Sequence, residues 1–248
     1  MAMVTITEHS TEGKNMKMKD LKNHFLLLQI NDSLFPIGGY SHSYGLETYI
    51  QKGIVHNSEL AAEYIRKRLL YNFLYTDFLA VRLAYDAALQ EDETAIDELE
   101  DQMEASRIPS ELREASRKLG SRFIKTLLHM QITPPSGFFS RYLQVRRGKP
   151  TCHPCAYGVL CACMGMDRTE VLSAFLYAQT SAMVTNCVKT IPLSQSDGQK
   201  ILFSLEPLME NMIQLVEQIG AEMLCASTPA FDLRSMEHET LYSRLYMS

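Results

Sequence analysis

The sequence predicts an all-α fold, a single-domain multi-helix bundle. Apolar residues recur at intervals of three and four through long stretches without Gly or Pro. No stretch alternates apolar with polar residues beside hairpin turn chemistry. With 248 residues, 46% of them apolar, the chain can bury a substantial core. That length fits one large domain or two small ones, and no internal repeat at a fixed period divides it.

Residues 1–20 are polar and aperiodic and read as a mobile tail, so an ordered domain of residues 21–248 is expected to begin near Leu21. Between Ser58 and Leu89 there is neither Gly nor Pro, with Ser58 as N-cap and Glu59 in the first turn, which predicts one long helix. Beyond Leu69 its only charges are Asp77, Arg82 and Asp86, as expected of a helix surrounded by others. Glu91 to Glu104 holds eight acids and no base, with Ile96, Leu99 and Met103 as a thin apolar stripe. After Pro109 and Ser110, the residues Leu112, Ala115, Leu119, Phe123 and Leu127 share one helical face, away from Arg113, Arg117, Arg122 and Lys125. Pro134, Pro135 and Gly137 make a turn, and FFSRYLQVRR is a short helix ended by Gly148 and Pro150. Asp167 and Glu170 form a capping-box pattern that opens a helix running to Pro192. A last long helix starts near Ser196 or Asp197, bends at Pro207 and ends at Gly220.

Composition excludes several functions. Lys plus Arg number 24 against 29 Asp plus Glu, a formal charge of -5, so the chain is no polycation for nucleic acid or acidic lipid. Six Cys are too sparse for a secreted disulfide framework, and the first twenty residues build no apolar signal core, which together predict a cytoplasmic protein. Val171 to Val188 is interrupted by Gln179, Thr180, Ser181, Thr185 and Asn186, so it reads as a buried helix and not a membrane span. There is no GxxxxGK(S/T), GxGxxG or GxSxG, and His238-Glu239 has Tyr242 where a zincin needs its second His. No enzyme activity and no cofactor are expected.

Four segments are candidates for function. In FPIGGYSHSYGLETYI, residues 35–50, Pro36 stops one helix and Gly38 and Gly39 permit positive φ. The loop offers Tyr40, Ser41, His42, Ser43 and Tyr44 either as a recognition surface or as caps of the next helix. In KPTCHPCAYGVLCACMGM, residues 149–166, Cys152, His153 and Cys155 are conceivable metal ligands, although the paired knuckles of a structural zinc site are missing. Cys161 and Cys163 sit in an apolar run and read as small core residues. Arg107 to Lys149 carries ten bases and two acids, which suits a solvated face or an acidic protein partner better than nucleic acid. The ending SMEHETLYSRLYMS sets Tyr242, Leu245 and Tyr246 beside Arg244, the make-up of an interface anchor or of a segment packed on its own core.

FPIGGYSHSYGLETYIQKG (residues 35–53), LGSRFIKT (119–126), HPCAYG (153–158), IPLSQSDGQKIL (191–202) and HETLYSRLYMS (238–248) resemble the UreF family of urease accessory proteins. The resemblance extends over nearly all of residues 21–248. It implies an all-α, homodimeric scaffold without catalytic activity, which binds UreD (also called UreH) and recruits the GTPase UreG to the urease apoprotein for nickel insertion. It also implies one alternative, a regulator of the UreG GTPase as activator or fidelity checkpoint; a second alternative, a nickel-binding metallochaperone, comes from the cysteine segment itself and not from the resemblance. For the first, bases between Arg107 and Arg147 are candidates to act in trans. For the second, the ligands would be His153 with Cys152 and Cys155, and these two cysteines are not part of the family's pattern. The positions matching the loop and tail motifs give Tyr40, Ser41, His42, Tyr44, Tyr242, Arg244, Leu245, Tyr246 and Met247 as partner contacts.

Overall fold

The helix His153–Met164 has every residue buried, and the rest of the chain is arranged around it. The computed structural model describes residues 21–39, 42–226 and 228–247; the expected tail of residues 1–20 lies outside them. In chain order the helices are α1 (21–31), α2 (Leu46–Gln51), α3 (Ser58–Tyr71), α4 (Asp77–Leu89), α5 (Glu93–Ser106), α6 (Ser110–His129), α7 (Phe138–Val145), α8 (His153–Met164), α9 (Arg168–Thr190), α10 (Gln195–Ser204), α11 (Glu206–Gln218) and α12 (Pro229–His238). Short 3-10 turns fall at Phe73–Tyr75 and Ala221–Met223, and no strand occurs among the described residues. The all-α expectation is met.

Helix α4 lies most closely against α8, because the facing residues are small. Ala80, Ala84 and Ala88 of α4 are buried, and a Cβ at Gly158 of α8 would lie 2.5 Å from the Val81 carbonyl oxygen. Helix α1 is tied to α8 by Asn23 Nδ2 donating to the Met164 carbonyl (3.1 Å) and Asn31 Nδ2 donating to Tyr157 Oη (2.9 Å). Buried side chains from α1 to α11 join in one continuous core. No helix of the described residues is long and apolar enough to cross a membrane.

Two expectations need correction. The stretch from Ser58 to Leu89 is two helices, capped at Asn57 and broken at residues 72–76. Thr76 Oγ1 donates to the Asn72 carbonyl (3.0 Å), Asn72 Nδ2 to Thr228 Oγ1 (2.7 Å), and Cys225 N to the Tyr75 carbonyl (2.7 Å). Short polar side chains thus compete with the helical ladder, and the break stacks Phe73 on both Phe78 and Phe175. The last long helix is likewise split, not bent. Helix α10 starts from a full capping box of Ser194 and Asp197, and Pro207 sits in the first turn of α11, where its missing N–H costs nothing.

The acidic and basic segments meet each other. Arg141 pairs with Glu91 and Glu93, Arg146 with Asp97 and Asp101 (2.6 Å each), Lys149 with Asp97 (2.7 Å) and Arg117 with Glu104. At these positions the basic stretch, expected to be a solvated face or to meet an acidic partner, pairs with α5 and the turn before it in the same chain.

Candidate docking site

The glycine loop and the chain's last residues come together on one side of the molecule. Gly45 ends the loop at φ 82°, a conformation that suits a residue without Cβ. A Cβ there would also lie 2.9 Å from Ser235 Oγ, so the glycine lets α12 pack directly on the loop. Thr48 Oγ1 of α2 then donates to the Arg234 carbonyl of α12 (2.8 Å).

Glu47, buried in the first turn of α2, holds the tail. Its carboxylate accepts the main-chain N–H groups of Leu245 (2.7 Å) and Tyr246 (2.9 Å) and contacts His238 Nε2 (3.0 Å). The other ring nitrogen of His238, a fully buried residue, faces Glu111 Oε2 of α6 at 2.8 Å, and Arg244 pairs with the second oxygen of Glu111. A neutral imidazole carries one N–H and can donate to only one of these carboxylates. Glu239 adds a cap for α6 by accepting Ser110 N (2.9 Å), and Gln51 Nε2 donates to the Ser243 carbonyl (2.6 Å).

Among the described residues, the expected contacts divide into those that project outward, those that anchor the tail and those that turn inward. Tyr242, Leu245 and Met247 project outward, and Tyr242 is fully exposed. Arg244 and Tyr246 anchor the segment, with the Tyr246 ring buried. Tyr44 turns inward under the Arg68 guanidinium (4.5 Å to the ring centroid), in a cleft lined by α3, α6 and α12. Tyr40 and Ser41 lie outside the described residues. His42 is buried, its carbonyl accepting Asn186 Nδ2 (2.9 Å), and burial with the Lys118 and Arg122 cations brings its imidazole down to about 4. Sequence reasoning missed Glu47 and Glu111. The available signal was a carboxylate in each of two first helical turns, one directly after the glycine loop.

The cysteine segment is arranged differently from the expected ligand set. His153 packs among Phe123 (4.8 Å between ring centroids), Tyr157 and Phe175; burial lowers it to about 4, and its Nε2 has no hydrogen-bond partner among the described residues. Cys152 and Cys155 instead lie with Glu100 of α5, and the three donor atoms fall within 4.8 Å of one another. All six cysteines are free thiols.

The UreF family model matches residues 55–206. A urease accessory protein UreF of Actinobacillus pleuropneumoniae is 38% identical over 222 residues, 90% of this chain and 97% of that one. Proteins of the same description from Haemophilus influenzae and a Bacillus species are 36% and 34% identical, each match covering 90% of this chain and 94% and 97% of theirs. The chain belongs to the UreF family of urease accessory proteins.

Proposed function

We propose that this chain is a non-enzymatic scaffold in urease activation, which binds UreD (UreH), recruits the GTPase UreG and brings both to the urease apoprotein for nickel insertion in the cytoplasm. The observation that carries the reading is the held tail. A chain end ordinarily frays, and ordering it on binding costs free energy. Here the Glu47, His238, Glu111 and Arg244 contacts fix the main chain and leave Tyr242, Leu245 and Met247 presented to solvent. Large apolar side chains on a pre-ordered backbone suit a protein partner. Self-association fits the same role, since Leu21, Phe25 and Leu28 form an exposed apolar face on α1 of the kind a second copy would cover.

Co-purification of the full chain with UreD and UreG tests the proposal. The wild type is expected to retain both. Tyr242→Ala and Leu245→Ala should each weaken capture roughly tenfold or more while leaving the helical circular dichroism unchanged. A folded wild type that retains neither protein under reducing conditions would overturn the reading. Light scattering of the isolated chain should give twice the monomer mass, reduced by Phe25→Asp.

A further inference from the structure

Glu100 is a carboxylate in the interior, 1% exposed, on the face of α5 that also buries Ile96, Leu99 and Met103. Among the described residues it forms no ion pair. Tyr142 Oη donates to one of its oxygens (2.5 Å) and the main-chain N–H of Cys152 to the other (2.8 Å). The N–H that Glu100 accepts is that of the N-cap residue itself, so the carboxylate satisfies none of the first-turn amides of α8 although it is held out of water.

What the arrangement does supply is a set of donors. Cys152 is the N-cap of α8 and Cys155 lies one turn inside it, with Pro154 between them in the first turn. Both thiols and a Glu100 oxygen lie close enough together to converge on one ion. Two sulfurs and a carboxylate oxygen are ligands that Zn2+ takes in tetrahedral sites, with the fourth position left to water or another oxygen. The two hydrogen bonds to Glu100 fix the carboxylate's direction, as partners of metal ligands usually do. Two thiolates, one carboxylate and a divalent ion sum to one negative charge, beside the positive end of α8 and within the fields of Arg107 and Arg146.

We propose that Glu100, Cys152 and Cys155 form a site for one divalent cation of the zinc class, with Tyr142 as a positioning residue. His153 is not a ligand, because its ring is enclosed by Phe123, Tyr157 and Phe175. Binding replaces two S–H bonds by two metal–sulfur bonds and releases both protons to solvent, so no oxidant is involved. The site is independent of the docking role.

Cobalt titration of the reduced, metal-free full chain tests the site, because thiolate ligands give Co2+ a near-ultraviolet charge-transfer band. One equivalent is expected to saturate the band, and Zn2+ should abolish it by displacement. Cys155→Ala should remove the band, Glu100→Gln and Tyr142→Phe should each weaken binding about tenfold or more, and Cys163→Ser should leave it intact. X-ray absorption of the zinc-loaded wild type needs no substitution and so survives any folding defect in the variants. It should show two sulfur neighbours at about 2.3 Å and lighter ones at about 2.0 Å. A folded wild type with no thiolate–cobalt band, a full-strength band in Cys155→Ala, or a zinc ion surrounded only by nitrogen and oxygen would each overturn the proposal.

Discussion

Glu47 accepts one main-chain N–H on each of its two carboxylate oxygens, and a Gln in its place would offer an oxygen to only one of them. Glu47→Gln is therefore expected to leave at least one buried N–H unpaired and to destabilise the tail's attachment by about 1–3 kcal/mol. Hydrogen exchange at the Leu245 and Tyr246 amides should accelerate before any change appears in the helices of the core. His42 gives a residue-level pH dependence whose sign is fixed. Its imidazole is at about 4 in the folded chain against 6.5 when unfolded, so the unfolded state binds the extra proton first as pH falls. Its neutral form costs nothing above pH 6.5, and stability is lost between about 6.5 and 4, by up to about 3 kcal/mol. Urea titrations across that range should show His42→Gln losing less stability than the wild type.

At the scale of elements, the contact of α4 with α8 depends on Gly158. Gly158→Ala would push a methyl against the Val81 carbonyl, which cannot move without shifting α4, and a loss of about 1–3 kcal/mol in urea unfolding is expected. The helices themselves could be read from the sequence wherever a cap or breaker stood at the boundary, as at Asp167 and Pro192. The seam of α6 was also legible, since Ala115, Leu119, Phe123 and Leu127 are all buried. The break at residues 72–76 was not. It has no Gly or Pro, and it depends on Asn72 and Tyr75 finding partners at Thr228 and Cys225, more than 140 residues away. The tail's anchor was hidden for the same reason: Glu47 looks like an ordinary first-turn acid until residues 238–246 fold over it. The Cys152 and Cys155 pair stood out in the chain, but its third donor, Glu100, was masked among seven solvated acids on an acidic stretch.

For the whole molecule, the net charge of -5 conceals an internal complementarity between residues 91–104 and 107–149. Most of these pairs are exposed and contribute about 0–1 kcal/mol each. Arg146 is different, because its side chain is 1% exposed while binding Asp97, Asp101 and the Pro150 carbonyl, so it joins α5 to the end of α7 and the loop beyond. Arg146→Ala is expected to cost about 3 kcal/mol, at the low end for a buried pair since both aspartates can regain water. Thermal unfolding should show this loss, whereas Lys149→Ala should stay within about 1 kcal/mol.

Because every residue of α8 is buried, bathing it in solvent requires several neighbouring helices to move away from it. Its peptide groups should take up deuterium only when the entire chain unravels, at a rate set by the global equilibrium. Mass spectrometry of the fragment spanning residues 153–164 would then act as an internal gauge of total stability, against which any bound ion or protein could be weighed.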